Sequence, residues 1–233
     1  MMHIDARLQW LFFVARMKGC AIACLTRKDT PMKLYYSPGA CSLSPHIALL
    51  EAGLTFEAIA APTKTHKLPD GTDYYTINPL GYVPFLTLDD GRSLHEGPAI
   101  VQYIADQAPD KNLAPANGTY ERYKLQEWLT FIGTELHKTF SPLFVPTTPA
   151  ETKAACLERM QSRLKWVDGE LAGKQYLMGD QFTVADGYLF VVTNWAQYVN
   201  LDLTPYANLV AYRARVAARP AVVAAMKAEG LIK

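Results

Sequence analysis

The chain has 233 residues, half of them hydrophobic, and a formal net charge of +1. That length suits two compact domains or one large one, with enough apolar residue to bury a sizeable core. Near-neutral charge without a dense Lys/Arg stripe argues against a nucleic-acid or other polyanion-binding surface.

In chain order, residues 1–31 differ from the rest. Their apolar run, "LQWLFFVARMKGCAIACL", is interrupted by Arg16 and Lys18. Neither half reaches the roughly 20 apolar residues of a membrane span. No good small-x-small cleavage site follows, so a signal peptide fits poorly. These residues read as a non-native or dispensable extension, with Met32 a possible start. Of the four cysteines, Cys20, Cys24, Cys41 and Cys156, none has disulfide-framework or zinc-site spacing. Free thiols in a reducing cytosol, with no metal, are expected.

"MKLYYS" is a strand that "SPG" ends. Ser44-Pro45 reads as a helix start, with Ser44 the cap, and Gly53 as its stop. "LTFEAIAA" is a second strand, parallel to the first if the connection is a right-handed βαβ unit. A polar loop and a short helical piece lead to "NPLGYVP". "VPFLTLDDGRSLHEG" reads as a hairpin with Asp90-Gly91 as a two-residue turn, and "GPAIVQYIADQ" as a helix ended by Pro109. After a linker, apolar residues recur with a helical period, giving helices over 120–140, 149–171, 183–199, 206–218 and 220–229. The expected fold class is α/β plus all-α. A βαβ–ββα domain over 32–112 precedes an all-helical domain over 118–233.

Several segments give this pattern an identity. "MKLYYSPGACSLSPHIALLE", "INPLGYVPFL", "HEGPAIVQYIAD", "EWLTFIGTELHKTFSPLF" and "DQFTVADGYLF" together resemble the cytosolic glutathione S-transferases of the bacterial beta class. The resemblance covers residues 32–233. It implies a thioredoxin-like first domain, glutathione as co-substrate, a hydrophobic electrophile as second substrate, a homodimer and a cytoplasmic setting without membrane association.

Cys41 would stand just before a helix, where unpaired N–H groups and the helix dipole lower a thiol pKa and stabilise a nearby thiolate. The alternative is a buried structural cysteine. Tyr36 either donates its phenol to the sulfur or is an ordinary strand tyrosine. Ser42 either donates through its hydroxyl or N–H or serves the helix cap. Ala40, beside Cys41, joins the expected ligand contacts. Val83 would pair its backbone with an extended peptide ligand, and the resemblance implies a cis Val83–Pro84 bond. Glu96 and Gly97 would hold the γ-glutamyl end of glutathione; an ordinary acidic helix start is the alternative, and the full "HEGPAIVQYIAD" context favours binding.

Thr130, Thr134 and His137 form a polar stripe, which faces either a cleft or solvent. In the resemblance, the matching histidine approaches the glutathione sulfur. A loop lysine of the family is replaced by His66, with Lys67 beside it; either would hold the glycyl carboxylate. Thr130 stands where a relative has asparagine. Thr183 and Asp186 read as a capping box, without catalytic role. The expected activity is conjugation of the glutathione thiolate to an electrophile. Glutaredoxin-like thiol transfer through Cys41 (a Cys-x-x-Ser sequence) and a non-catalytic binding module are the alternatives.

Overall fold

The computed structural model describes residues 31–233. The expectations for the N-terminal extension, Cys20 and Cys24 included, lie outside the described residues. Strand β1 (Met32–Tyr36) pairs in parallel with β2 (Phe56–Ala60) and antiparallel with β3 (Phe85–Thr87), which pairs antiparallel with β4 (Ser93–Leu94). The order across the sheet is β2-β1-β3-β4. The period-2 alternation of β1 sends Leu34 to one face and Tyr35 to the other. Leu34 and Leu86 pack with residues of α1 (Leu43–Ala52) and α2 (Gly97–Gln107). Tyr35 and Phe85 pack with Tyr74, from the 3₁₀ turn Tyr74–Thr76, on the opposite face.

Two local expectations are corrected. Helix α1 begins at Leu43, so Ser44 is not its cap. Pro45 still falls within the first turn, where its missing N–H costs no helical bond. The hairpin closes through three residues, because Leu88 N–H bonds Arg92 O at 2.7 Å and Gly91 N–H bonds Leu88 O at 3.1 Å. Gly91, at φ +84°, takes the left-handed position that such a loop needs.

The remaining helices are α3 (Tyr120–Phe131), α4 (Lys138–Phe144), α5 (Ala150–Glu170), α6 (Val184–Asn194), α7 (Ala207–Ala217) and α8 (Pro220–Ala228). Between α3 and α4 the chain makes a π-helical turn, Ile132–His137. The helix expected to end at 140 thus continues through Pro142 to Phe144, with a shifted register. Such insertions in an α-helix often mark functional positions. Helix α6 is buried from Val184 to Thr193 and forms the centre of the helical part. Residues of α1 share one apolar core with α6 and α8, which joins the thioredoxin-like N-terminal part to the helical part.

Asp186 closes the expected capping box. Its carboxylate accepts the Thr183 N–H at 2.8 Å and hydroxyl at 2.9 Å, the Leu177 N–H at 2.8 Å and the Tyr212 hydroxyl at 3.1 Å. All four bonds are made in the interior, which gives this residue a structural role.

Candidate active site

The loop between β1 and α1 is held from both sides. Ser42 Oγ accepts the Ser37 N–H at 3.1 Å and donates to the Ser37 carbonyl at 3.2 Å. Gly39 N–H donates to Glu229 at 2.9 Å, and the Trp195 indole N–H donates to the Gly39 carbonyl at 2.9 Å. Glu229 also meets His46 on α1 at 2.9 Å, both side chains being buried. A loop anchored at each turn gives Cys41 a fixed place.

Cys41 opens onto two adjoining cavities. The larger, about 480 Å³, is lined by Val83, Glu96, Gly97, Thr130, Thr134 and Tyr188 among others. The smaller, about 350 Å³, has Pro38, Phe144, Trp195 and Tyr198 as apolar walls, with Ser37 and Ser141 at its edge. Ala40, Cys41, Thr63 and His137 line both. A groove that carries Glu96, Thr130 and Thr134 and an aromatic pocket therefore meet at a thiol and an imidazole.

The electrostatics of Cys41 differ from expectation. Its Sγ donates to the Val83 carbonyl at 3.2 Å, and its pKa is pushed up to about 11. Burial dominates; the backbone N–H groups of Cys41 and Ser42 favour the thiolate but do not compensate. The lowered pKa expected at a helix mouth is therefore not realised.

His137 ends the π turn. Its Nδ1 lies 2.7 Å from the Tyr188 hydroxyl, and its ring meets Trp195 edge-on at 4.8 Å. Burial, reinforced by nearby Lys138, lowers its pKa to about 4, so the ring is neutral at physiological pH. The polar stripe does face the cleft, although Thr134 Oγ1 donates to the Thr130 carbonyl at 3.0 Å. The Val83–Pro84 bond is cis. Glu96 caps α2 at φ +64°, an uncommon conformation for a side-chain-bearing residue and one that concentrates at functional sites.

Four expected residues are placed otherwise. Tyr36 packs on His46, with ring centroids 5.7 Å apart, and lines neither cavity. The Ser42 hydroxyl is engaged with Ser37. His66 packs on Tyr75 with ring centroids 4.5 Å apart, Lys67 pairs with Asp73 through a backbone β-bridge, and neither lines the cavities; Thr63 reaches both from that loop.

The profile "Glutathione S-transferase, N-terminal domain" matches residues 39–107, and "Glutathione S-transferase, C-terminal domain" matches residues 131–220. Glutathione S-transferase GstA of Escherichia coli O157:H7 is 46% identical over 200 residues, 86% of this chain and 100% of the relative. The chain belongs to the glutathione S-transferase family.

Solved structures agree with this glutathione S-transferase fold. A sphingomonad glutathione S-transferase complexed with glutathione matches at TM-score 0.83 and 52% identity, over 86% of this chain and 100% of that one. A bacterial beta-class glutathione S-transferase from Sphingomonas chungbukensis matches at TM-score 0.83 and 51% identity, over the same shares. Sequence reading missed Tyr188, Trp195 and Thr63 in this glutathione S-transferase. Tyr188 lies inside the quoted "DQFTVADGYLF" stretch, where Thr183 and Asp186 alone drew a role, and its partner His137 is 51 residues earlier. No local pattern announces such a pair. Among the described residues there is no cluster of three or more His, Cys, Asp or Glu able to hold a metal, and no helix long and apolar enough to cross a membrane.

Proposed function

We propose that this chain is a glutathione transferase that joins the glutathione thiolate to a hydrophobic electrophile. Glutathione lies in the larger groove, with its γ-glutamyl end at Glu96 and the first-turn N–H of Gly97. Its sulfur lies at the wall formed by Cys41 and His137. The electrophile occupies the pocket of Phe144, Trp195 and Tyr198. The observation that carries this reading is the sharing of Ala40, Cys41, Thr63 and His137 by the two cavities. Two ligands so placed bring their reacting atoms together, which accounts for much of a bimolecular rate enhancement. Bound glutathione supplies the nucleophilic sulfur; the protein orients it and stabilises its anion.

The thiol-transfer alternative has the Cys-x-x-Ser sequence but lacks a resting thiolate, given the raised Cys41 pKa. Conjugation does not need one. We also propose a homodimer in the cytosol. The highly exposed rings of Tyr82, Tyr120 and Tyr123 support the first, and the free thiols of Cys41 and Cys156 support the second.

Turnover of glutathione with an aromatic halide, together with retention on immobilised glutathione, tests the proposal. Both are expected. Retention without turnover on any of a panel of electrophiles would favour the binding-module alternative.

A further inference from the structure

Tyr188 is buried, and its hydroxyl meets His137 Nδ1 at 2.7 Å, the one hydrogen bond that this phenol makes among the described residues. The other ring nitrogen, Nε2, makes no hydrogen bond among them and is not enclosed, so it is open to the cavities that His137 lines. A neutral imidazole carries one N–H, and the partner of one nitrogen determines which nitrogen bears it.

We propose that Tyr188 is a positioning residue for the transferase reaction: its hydroxyl donates to Nδ1, and so fixes the N–H of His137 on Nε2, facing the glutathione sulfur. This rests on the reading of the shared wall as the place where that sulfur binds.

The opposite arrangement is disfavoured by hydrogen-bond accounting. If Nδ1–H donated to the phenol oxygen, the Tyr188 proton would need another acceptor in the interior. None is present among the described residues, so that proton would depend on whatever enters the larger cavity, which Tyr188 lines, and a donor left unsatisfied is costly. Burial holds the phenol well above its usual pKa and the imidazole well below, so both are neutral near pH 7. The charges near the pair are Lys138, next to His137 and also felt by Cys41, and Glu96, felt by both Cys41 and Tyr188. The π turn takes part as well, because Tyr188 Oη lies about one van der Waals contact from the Cβ position of Gly133. Glu135, in the same turn, is held by Arg159 at 2.9 Å and Arg163 at 2.7 Å on α5. The turn that carries His137 is thereby fixed on one side by α5 and on the other by Tyr188.

A neutral N–H donor suits this task. It stabilises a thiolate without protonating it, whereas an imidazolium at this position would be acidic enough to give its proton back. With the tautomer unconstrained, part of the population would present a lone pair to the sulfur and favour the thiol.

Two measurements test the proposal. The first uses the unaltered protein, so folding of a variant is not at issue. Nitrogen-15 NMR of the histidines, with His137 assigned by loss of its signals in His137→Gln, is expected to show a protonated Nε2 and an unprotonated Nδ1. The reverse assignment would overturn the proposal. The second follows the thiolate absorbance of bound glutathione against pH in the wild type, Tyr188→Phe, His137→Gln and the double variant. Tyr188→Phe is expected to lower the thiolate fraction at neutral pH roughly five- to tenfold, the size of a hydrogen-bond effect on an anion. Affinity for glutathione should change little. A glutamine side-chain N–H needs no tautomer, so adding Tyr188→Phe to His137→Gln should have no further effect. If the wild type lowers the thiol pKa and Tyr188→Phe lowers it equally, Tyr188 has no such role and the site reading stands. If the wild type leaves the bound thiol unshifted, the site reading fails and this inference with it.

Discussion

The Cys41 thiol donates to the Val83 carbonyl at 3.2 Å across the cis-proline turn. The bond joins the loop before α1 to the segment before β3, and it uses the proton that a nucleophilic cysteine would have to lose. Loss of solvation raises the thiol pKa to about 11, above the ordinary value. Below that pH the thiol predominates. Alkylation of Cys41 by iodoacetamide, followed by peptide mass spectrometry, is therefore expected to be slow at pH 7 and to accelerate steadily up to pH 10. Rapid labelling that saturates by pH 7 would show that the thiolate is already present.

Glu96→Gln removes the charge expected to meet the γ-glutamyl ammonium. A hydrogen bond to a charged group is worth about 1.5–3 kcal/mol, or roughly ten- to a hundredfold in affinity. The loss should appear in the KM for glutathione, with kcat nearly unchanged, as for an interaction made equally in ground and transition states. An unchanged KM with reduced kcat would place Glu96 at the reacting atoms instead.

Much of this site was legible in the chain, though its polar details were not. The alternation of "MKLYY" and the breaking "SPG" located β1 and its loop, because strand period and turn chemistry are local properties. Thr130, Thr134 and His137 were grouped on one face, and they do line the cleft. The π turn was not foreseen; the partners of its residues, Arg159 and Arg163 for Glu135 and Tyr188 for Gly133, are distant in sequence. Ser44 looked like a cap because its residue type is common there. The turn hydroxyl is Ser42, folded back on Ser37, and the helix starts earlier than expected, at Leu43. Tyr36 stays open between two roles in the sequence because a strand tyrosine beside a turn can face either way. Its place against His46 is set by the alternation that puts Leu34 on the same face.

Asp186 supports folding in proportion to the donors it satisfies. Asp186→Ala leaves two N–H groups and the Thr183 hydroxyl without their acceptor, while the Tyr212 hydroxyl keeps the backbone carbonyl of residue 186 at 3.0 Å. The expected loss is about 3 kcal/mol or more, with Asp186→Asn intermediate. Denaturant unfolding measures this directly. A change below about 0.5 kcal/mol, the range of ordinary surface substitutions, would contradict the assigned role.

His137 should be silent in the pH range where most histidines titrate. Its folded pKa of about 4 lies below the ordinary value of 6.5. Between these values the unfolded chain takes up a proton that the native state refuses, so stability falls as pH drops from about 6.5 towards 4. Above 6.5 both states are neutral and the contribution is constant. The His137 ring proton shift is expected to stay flat from pH 5 to pH 8. His137→Gln should lose this part of the acid sensitivity. A midpoint near 6.5 would show that the ring is freely solvated.

The central claim is that glutathione's own sulfur, and not Cys41, attacks the electrophile at the shared wall of the two cavities. The most direct measurement is the rate of thioether formation from glutathione and an aromatic halide by wild-type protein and folded Cys41→Ala, with reduction of a glutathione mixed disulfide followed in parallel. Conjugation is expected from both proteins, at a lower but measurable rate in the variant, while disulfide reduction vanishes without the Cys41 sulfur. Loss of both activities in a folded Cys41→Ala protein would contradict this account.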